Sequence, residues 1–230
     1  MTKEELRELL ENELFWRTEE LNFFKKQILN LNEEDDKDKY RKSLVLILYS
    51  HLEGFLKVAL TSYAQYLSAL GKKREVFDVR LVATSMDSEF KAYDNKDIKS
   101  PLFTNKKIPD EKKIHGLYRR VNLLDSATNM MNQPLYINDA AIDTESNVWY
   151  IVLQKNLYRL GLPVDMFEEY SKDIDGLVNR RNSIAHGSQS DGVSEKEYLR
   201  WENSIKDVME SIVKKIYLYV NNEKYVKTSE

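Results

Sequence analysis

The stretch YRKSLVLILYSHLEGFLKVALTSYAQYLSAL, residues 40–70, decides the fold class. Its apolar side chains recur at spacings of three and four, which places them on one face of an α-helix. The stretch contains no proline, and the following Gly71 is typical of a helix C-terminus. The apolar face comprises Tyr40, Leu44, Ile47, Leu48, Leu52, Phe55, Leu56, Ala59, Tyr63, Leu67 and Leu70. The sequence therefore predicts a long core helix over residues 40–70.

A second amphipathic helix precedes it. Thr2-x-x-Glu5 is a capping box, in which each side chain satisfies a free N–H of the first helical turn. Leucine, phenylalanine and isoleucine residues then repeat with the helical period as far as Leu31. The charged segment Glu33–Lys39 reads as the connector between the two helices. We expect an antiparallel helical hairpin over residues 2–71.

Composition supports an all-α protein and excludes several other classes. Seven glycines and four prolines in 230 residues are few, which disfavours sandwiches and barrels because those folds need many tight turns. The absence of cysteine excludes disulfides and thiolate metal sites. The formal net charge of −3 excludes a uniformly basic surface for nucleic acid, although it permits a local patch. No targeting segment is visible, and the longest uncharged apolar run, residues 43–52, is too short to span a membrane.

The middle of the chain differs from both ends. Residues 73–145 contain three of the four prolines and only weak periodicity, so we expect an irregular, partly helical insertion with a short helix near 117–131. Regular helices are expected again after a cap at Thr144–Asn147, over about 165–186, and after the capping box Ser194-x-x-Glu197. The prediction is one domain, residues 1–230, folded as an up-and-down antiparallel helical bundle with this insertion.

The insertion carries a basic stretch. Between Lys99 and Arg120 there are seven lysines and arginines against two acidic residues. Such a stretch could follow an RNA backbone, or it could be a solvated loop. The RNA-binding candidates are Lys106, Lys107, Lys112, Lys113, Arg119 and Arg120.

The segment Arg180-Arg181-Asn182-Ser183-Ile184-Ala185-His186-Gly187 breaks the apolar pattern of its own helix. At 100° per residue, Arg181 falls at the centre of the apolar face, and Asn182 and His186 lie one turn apart beside it. Burying a guanidinium without a partner costs several kcal/mol. Departures of this kind are expected at functional sites.

A structural interpretation of the same residues remains open. Arg181 could be an ordinary buried arginine paired with a carboxylate such as Glu53. His186 could serve only as a cap at the helix C-terminus, and Asn182 could be a satisfied core amide. His51 is either a core or interface histidine or a residue near the cleft, while His115 is expected to be solvated. The three histidines lack ligand spacing, so we expect no metal site and no cofactor.

Arg181-Asn182-x-x-x-His186 resembles the R-x(4–6)-H motif of the HEPN superfamily, in which asparagine typically follows the arginine. The context is similar to the MAE-type HEPN subgroup over residues 2–71 and 142–222. The matching segments are Phe15-Trp16-Arg17, Tyr49-Ser50-His51-Leu52-Glu53-Gly54-Phe55 and Ser146-Asn147.

The resemblance implies a metal-independent endoribonuclease, used as a toxin or antiviral defence effector. In such an enzyme the 2′-OH of the RNA attacks the adjacent phosphate and leaves a 2′,3′-cyclic phosphate. His186 would transfer the proton, Arg181 would stabilise the phosphate, and Asn182 would orient His186 or the phosphate. Glu53 would hold Arg181, with Arg180 and His51 in support. The alternatives are a non-catalytic HEPN module that binds a nucleotide or a partner, and a purely structural helical adaptor.

The resemblance also implies partners. The chain has one motif copy, and HEPN nucleases pair two motifs across a dimer, so a homodimer is expected. RNA is the expected substrate, and a cognate antitoxin or regulatory protein is a possible further partner. With no membrane span predicted, we expect a cytoplasmic protein.

Overall fold

The computed structural model describes residues 1–103, 111–188 and 190–227, with Glu111 described only by its place in a helix. Eight α-helices are present in these ranges: α1 Lys3–Lys26, α2 Glu34–Ala69, α3 Val79–Ser85, α4 Asp87–Asp94, α5 Glu111–Asn132, α6 Tyr150–Arg159, α7 Ser171–Ala185 and α8 Glu195–Asn221. Short 3-10 turns occupy Gln27–Asn30, Arg74–Val76, Asp139–Ala141 and Glu168–Tyr170. The predicted all-α helical bundle is confirmed.

The bundle is built around α2. This helix packs against α1, α7 and α8, and α8 also packs against α1 and α7. The residues predicted for the core face of α2 are largely buried, and Leu44, Leu52, Phe55 and Leu67 have no exposed surface. Burial of a side chain of this size stabilises a fold by about 1.5–3 kcal/mol. The periodicity of residues 40–70 therefore identified the central helix.

The start of α2 corrects one expectation. The predicted connector Glu33–Lys39 is almost entirely the first turns of the helix, which begins at Glu34. The acidic residues there suit the positive end of the helix dipole. Arg41, which is buried, also forms ion pairs with Glu34 and Asp38 and so ties these turns together. The charge run is part of a helix.

Two further helix boundaries differ from the prediction. The cap expected at 144–147 is a turn in which Glu145 and Ser146 have positive φ, and α6 begins only at Tyr150. The first N–H of α6 is capped by a side chain of α7, because the Tyr150 N–H donates to Asp175 Oδ1 at 2.8 Å. The helix expected over 165–186 is α7, preceded by the separate 3-10 turn Glu168–Tyr170.

The predicted insertion contains helices α3, α4 and α5. The helix expected at 117–131 is present and longer, as α5. The chain that follows α5 is joined to the chain that follows α2 by an isolated antiparallel bridge between Lys73 and Pro134. Arg74, which is buried, strengthens this junction by binding Glu89 Oε1 at 2.7 Å and the Ser85 carbonyl at 2.9 Å.

By length and composition alone, α2 includes one window apolar enough to cross a membrane. In the bundle, 56% of that window is buried, as expected for a core helix. This arrangement is consistent with a soluble protein.

Candidate functional site

Arg181 projects from the last turns of α7 and lies, half-buried, against α2. Its guanidinium carbon is 4.6 Å from the centroid of the Tyr49 ring, which is within the range of a cation–π contact. The same guanidinium donates to Asn182 Oδ1 at 2.8 Å and to Asn147 Oδ1 at 3.2 Å. Among the described residues, no carboxylate forms an ion pair with it. All three partners are neutral, so they fix the guanidinium without forming an ion pair with it.

The turn before α6 supplies Asn147, and Tyr49 fixes that turn. The Tyr49 hydroxyl accepts a hydrogen bond from the Val148 N–H at 3.1 Å. The Asn147 N–H closes the turn by donating to the Thr144 carbonyl at 2.9 Å. Burial is the main cause that raises the pKa of the Tyr49 hydroxyl. Tyr49 therefore remains neutral and supports both the Arg181 charge and the amide that binds it.

Asn182 and His186 lie at the same helix end, where Asn182 is partly buried and His186 is exposed. The His186 N–H donates to the Asn182 carbonyl at 2.9 Å, so the two residues are one helical turn apart, as predicted. His186 is the C-cap of α7, and its side chain is exposed to solvent. Gly187 follows with φ of +66°, a conformation that glycine adopts without strain and that turns the chain away. The His186 side chain is thus accessible to solvent at the helix end that carries Arg181.

The structure changes the role expected for Glu53. Glu53 was expected to hold Arg181, but the bonds to Arg181 come from the amides of Asn147 and Asn182. Glu53 instead lies close enough to Tyr49 to help raise the pKa of that hydroxyl. Asn182 Oδ1 binds Arg181, and the expected role of Asn182 in orienting His186 or the phosphate stays a prediction. A neutral amide oxygen accepts a hydrogen bond from the Arg181 guanidinium without neutralising its positive charge.

The supporting residues Arg180 and His51 face other parts of the bundle. The Arg180 guanidinium bonds to the carbonyls of Asp191 and Gly192, in the loop that leads to α8. His51 is buried against α1, with Nε2 3.1 Å from Glu20 Oε2 and its ring edge-on to Trp16. Burial lowers the pKa of His51, although the Glu20 carboxylate opposes this shift. The structure brings neither residue to Arg181.

The RNA-binding candidates of the insertion lie apart from α7, because α5 packs on α4 and on the turn Arg74–Val76. Lys112, Lys113 and Arg120 are exposed. Arg119 is partly buried and donates to the carbonyls of Tyr93 at 2.9 Å and Ile98 at 3.2 Å. Lys106 and Lys107 lie outside the described residues.

The expectation for His115 is wrong. This residue is 4% exposed, and its Nδ1 accepts the Ser100 N–H at 3.0 Å. The local sequence around His115 does not reveal this burial, because the burial arises where two segments of the insertion meet.

The resemblance named Tyr49 and Asn147 without giving them a role, and the structure places both against Arg181. In the sequence, Tyr49 stands one helical turn before Glu53, and Asn147 stands just before a predicted helix. Neither signal identifies an arginine partner before the helices are packed. Among the described residues, no group of three or more histidine, aspartate or glutamate side chains is arranged to hold a metal ion.

Comparison with known proteins decides the family. The family model RiboL-PSP-HEPN matches residues 12–218, which is most of the chain. The chain belongs to the RiboL-PSP-HEPN family. Its membership in the HEPN superfamily is thereby confirmed, while the narrower MAE-type assignment stays a prediction. HEPN domains are associated with nuclease and RNA-related functions generally, and this HEPN chain falls within that class. No curated protein and no solved structure matches it.

Proposed function

We propose that this HEPN protein is an endoribonuclease that cleaves RNA without a metal ion and uses Arg181, Asn182 and His186. The observation that carries the proposal is the set of neutral partners around Arg181. A guanidinium fixed by an aromatic ring and two amide oxygens keeps its positive charge. A phosphodiester supplies the missing negative charge, and it gains more negative charge in the transition state.

In the proposed reaction, the 2′-oxygen forms a bond to the adjacent phosphorus while the bond from phosphorus to the 5′-oxygen breaks. One His186 imidazole takes the proton of the 2′-OH, because an imidazole ring nitrogen can accept a proton from a hydroxyl group in a general-base step. The products are a 2′,3′-cyclic phosphate and a 5′-OH. Arg181 stabilises the charge on the phosphate oxygens, and Asn182 and Asn147 hold Arg181 in place.

The leaving 5′-oxygen needs a proton from a second group. The chain has a single copy of the motif. We therefore propose a homodimer in which His186 of the second copy donates that proton. Sedimentation of the purified protein should give twice the chain mass of 27.1 kDa. A monomer with full cleavage activity would contradict this part of the proposal.

The test is a gel assay of RNA cleavage in excess EDTA, comparing the wild type with His186→Ala. General acid–base catalysis contributes about 10²–10⁴ in rate, so the variant should lose activity by a similar factor. Ser183→Ala is the control in the last turns of α7. Ser183 is partly buried and its hydroxyl donates to the Asn179 carbonyl at 3.0 Å, away from the proposed proton transfer, so this variant should retain activity. Loss of wild-type activity in EDTA would contradict the metal-independent mechanism. RNA binding without cleavage in the wild type would instead support the non-catalytic module.

Use of this activity as a cytoplasmic toxin or antiviral defence effector, held in check by a cognate antitoxin or regulatory protein, is also a proposal. Expression of the wild type in a bacterial host should arrest growth, whereas His186→Ala should not. Equal growth of both strains would contradict a toxin role and leave the endoribonuclease proposal to be decided by the gel assay.

A further inference from the structure

A cavity of about 580 Å³ lies where the insertion meets the C-terminal end of α6, and two exposed aromatic rings line it. Phe90 of α4 is 39% exposed and Tyr136 is 65% exposed, although rings of this size usually contribute to a core or an interface. Among the described residues, neither ring packs against another aromatic ring or lies under a cation. Both rings are therefore available to a ligand.

Hydrogen bonds between the walls fix the shape of the cavity. The Thr84 hydroxyl at the end of α3 donates to the Arg159 carbonyl at 2.7 Å. The Arg159 guanidinium donates to the Ala141 carbonyl at 3.1 Å, and the Asp143 N–H donates to Asn156 Oδ1 at 3.1 Å. These bonds hold α3 and the chain 141–143 against α6, so the cavity is formed before any ligand enters. Its volume lies in the range of small-molecule sites.

The charges of the lining balance each other. Lys91 and Arg159 contribute two positive charges, and Asp87 and Asp143 contribute two negative ones. Lys91 also forms an ion pair with Asp87 at 2.6 Å. The described lining thus offers no net charge that would attract a phosphate group, and it suits an uncharged planar ring.

Asn138 adds a polar group with a fixed orientation. Its Oδ1 accepts the Ala140 N–H at 2.9 Å, which holds the side-chain amide in place beside the cavity. Within the described part of the chain, its amide NH₂ has no acceptor. An amide NH₂ can donate to a ring nitrogen or a carbonyl oxygen at the edge of a nucleobase. The cavity therefore combines aromatic faces with an edge donor.

The chain that lines this cavity leads directly to the Arg181 site. Asp143 lies only four residues before Asn147, whose Oδ1 accepts a hydrogen bond from Arg181 at 3.2 Å. Four residues span at most about 14 Å. A few nucleotides of one RNA strand cover that distance, since neighbouring nucleotides are about 3.4 Å apart even when they are stacked in a helix. One strand can therefore reach both the cavity and the guanidinium.

We propose that this cavity binds an unpaired base of the RNA substrate, which stacks on Phe90 and Tyr136 while its strand continues to Arg181. The inference rests on the proposed endoribonuclease function and specifies single-stranded RNA as the substrate. Bases within a duplex are stacked on their neighbours, so their ring faces are not available to a protein side chain.

The experiment measures binding of a short single-stranded RNA by fluorescence anisotropy, in the His186→Ala background that prevents turnover. Phe90→Leu/Tyr136→Leu keeps apolar side chains in the cavity but removes both flat rings. Phe90→Tyr/Tyr136→Phe keeps both rings and is the conservative counterpart. The matched control is Phe15→Leu/Phe23→Leu, which removes two exposed rings from α1, outside the cavity. Circular dichroism checks that each variant folds.

We expect the leucine variant of the cavity to bind the single strand about fivefold or more weakly, because stacking of one base on an aromatic ring has an effect of at least that size. The variant that keeps both rings and the α1 control should bind like the protein with the unmodified cavity. The slope of log affinity against log salt concentration should stay the same, since loss of a ring removes no phosphate contact.

Unchanged affinity of the leucine variant, an equal loss in the α1 control, or no binding of the single strand to the His186→Ala protein would overturn the proposal. Binding of free adenosine in the cavity with no effect on the RNA would also overturn it. Cleavage in EDTA by the protein with His186 intact is measured separately. Absence of cleavage there contradicts the endoribonuclease proposal, while the binding comparison still decides the role of the cavity.

Discussion

The Arg181 guanidinium carbon lies 4.6 Å from the centroid of the Tyr49 ring, so one side chain of α2 faces the positive charge at the end of α7. The hydroxyl of the same tyrosine accepts the Val148 N–H, next to Asn147, whose amide oxygen also binds Arg181. Tyr49 therefore connects three separate parts of the chain. The arginine is held by the bundle rather than by a counter-ion, and this relationship leads to the first two predictions.

Substitution of Arg181 should separate catalysis from folding. Arg181→Ala removes the charge that the proposal places on the phosphate, and loss of such a group typically lowers rates by about 10²–10³. Arg181→Lys keeps the positive charge, but lysine lacks the planar guanidinium that bonds to both amides. Its activity should therefore fall between that of the wild type and that of Arg181→Ala. Gel assays of RNA cleavage give the rates, and urea unfolding measures stability. Full activity of Arg181→Ala would rule out its catalytic role.

Asn147 provides a sharper test, because it touches Arg181 without belonging to the motif. Asn147→Asp replaces the amide oxygen with a carboxylate 3.2 Å from the guanidinium, which neutralises the charge. We expect this variant to bind RNA more weakly than Asn147→Ala, although it keeps the hydrogen bond and should be the more stable of the two. Filter binding measures the affinity for RNA, and urea unfolding measures the stability of each variant. Stronger binding by the aspartate variant would show that Arg181 does not meet a phosphate.

Stability should depend on pH through His51. Burial holds the pKa of His51 below its unfolded value of about 6.5, with Arg17 acting in the same direction and Glu20 against it. Between those two pKa values the unfolded chain binds more protons than the folded one, so the free energy of unfolding falls as the pH drops below about 6.5.

The measurement is urea unfolding at a series of pH values for the wild type and for His51→Gln. The variant lacks the titrating group, so its stability should fall less steeply with acid. An NMR titration of the His51 ring in the folded protein should give a pKa below 6.5. A value above 6.5 would mean that the Glu20 carboxylate outweighs burial.

Gly192 is required by a close approach of two backbones. A Cβ at this position would lie 2.9 Å from the carbonyl carbon of Asp38, in the second turn of α2. The neighbouring Val193 is fully buried and donates its N–H to the Asp38 carbonyl at 3.0 Å. Gly192→Ala should therefore push the loop off α2 and cost about 1–3 kcal/mol of stability.

Gly116 is the matched control for this prediction. It lies within α5, and apart from the helix's own nearby backbone the closest described atom to an added Cβ is in the Arg119 guanidinium, 4.0 Å away. Gly116→Ala should stabilise the protein by about 0.5–1 kcal/mol, because alanine loses less backbone entropy in a helix. Urea midpoints that move in opposite directions support both assignments, and equal shifts would contradict them.

Much of this protein was determined by the sequence alone. Periodic apolar residues over 40–70 predicted α2 because an amphipathic helix must bury that face, and few glycines and prolines disfavoured folds that need many tight turns. The segment from Arg181 to His186 was identifiable because an arginine interrupts an apolar face. These features depend on the spacing of residues along the chain, which the sequence shows directly.

The partners of Arg181 were decided only by tertiary structure. Glu53 seemed the natural counter-ion in the sequence, but the packing of α7 on α2 presents the Tyr49 ring, and the turn before α6 adds the Asn147 amide. The burial of His115 and the use of Asp175 to cap α6 arise in the same way, from segments far apart in the chain. Side-chain contacts of this kind depend on how helices are rotated and offset against each other, and helical periodicity fixes which face is buried without fixing which atoms meet.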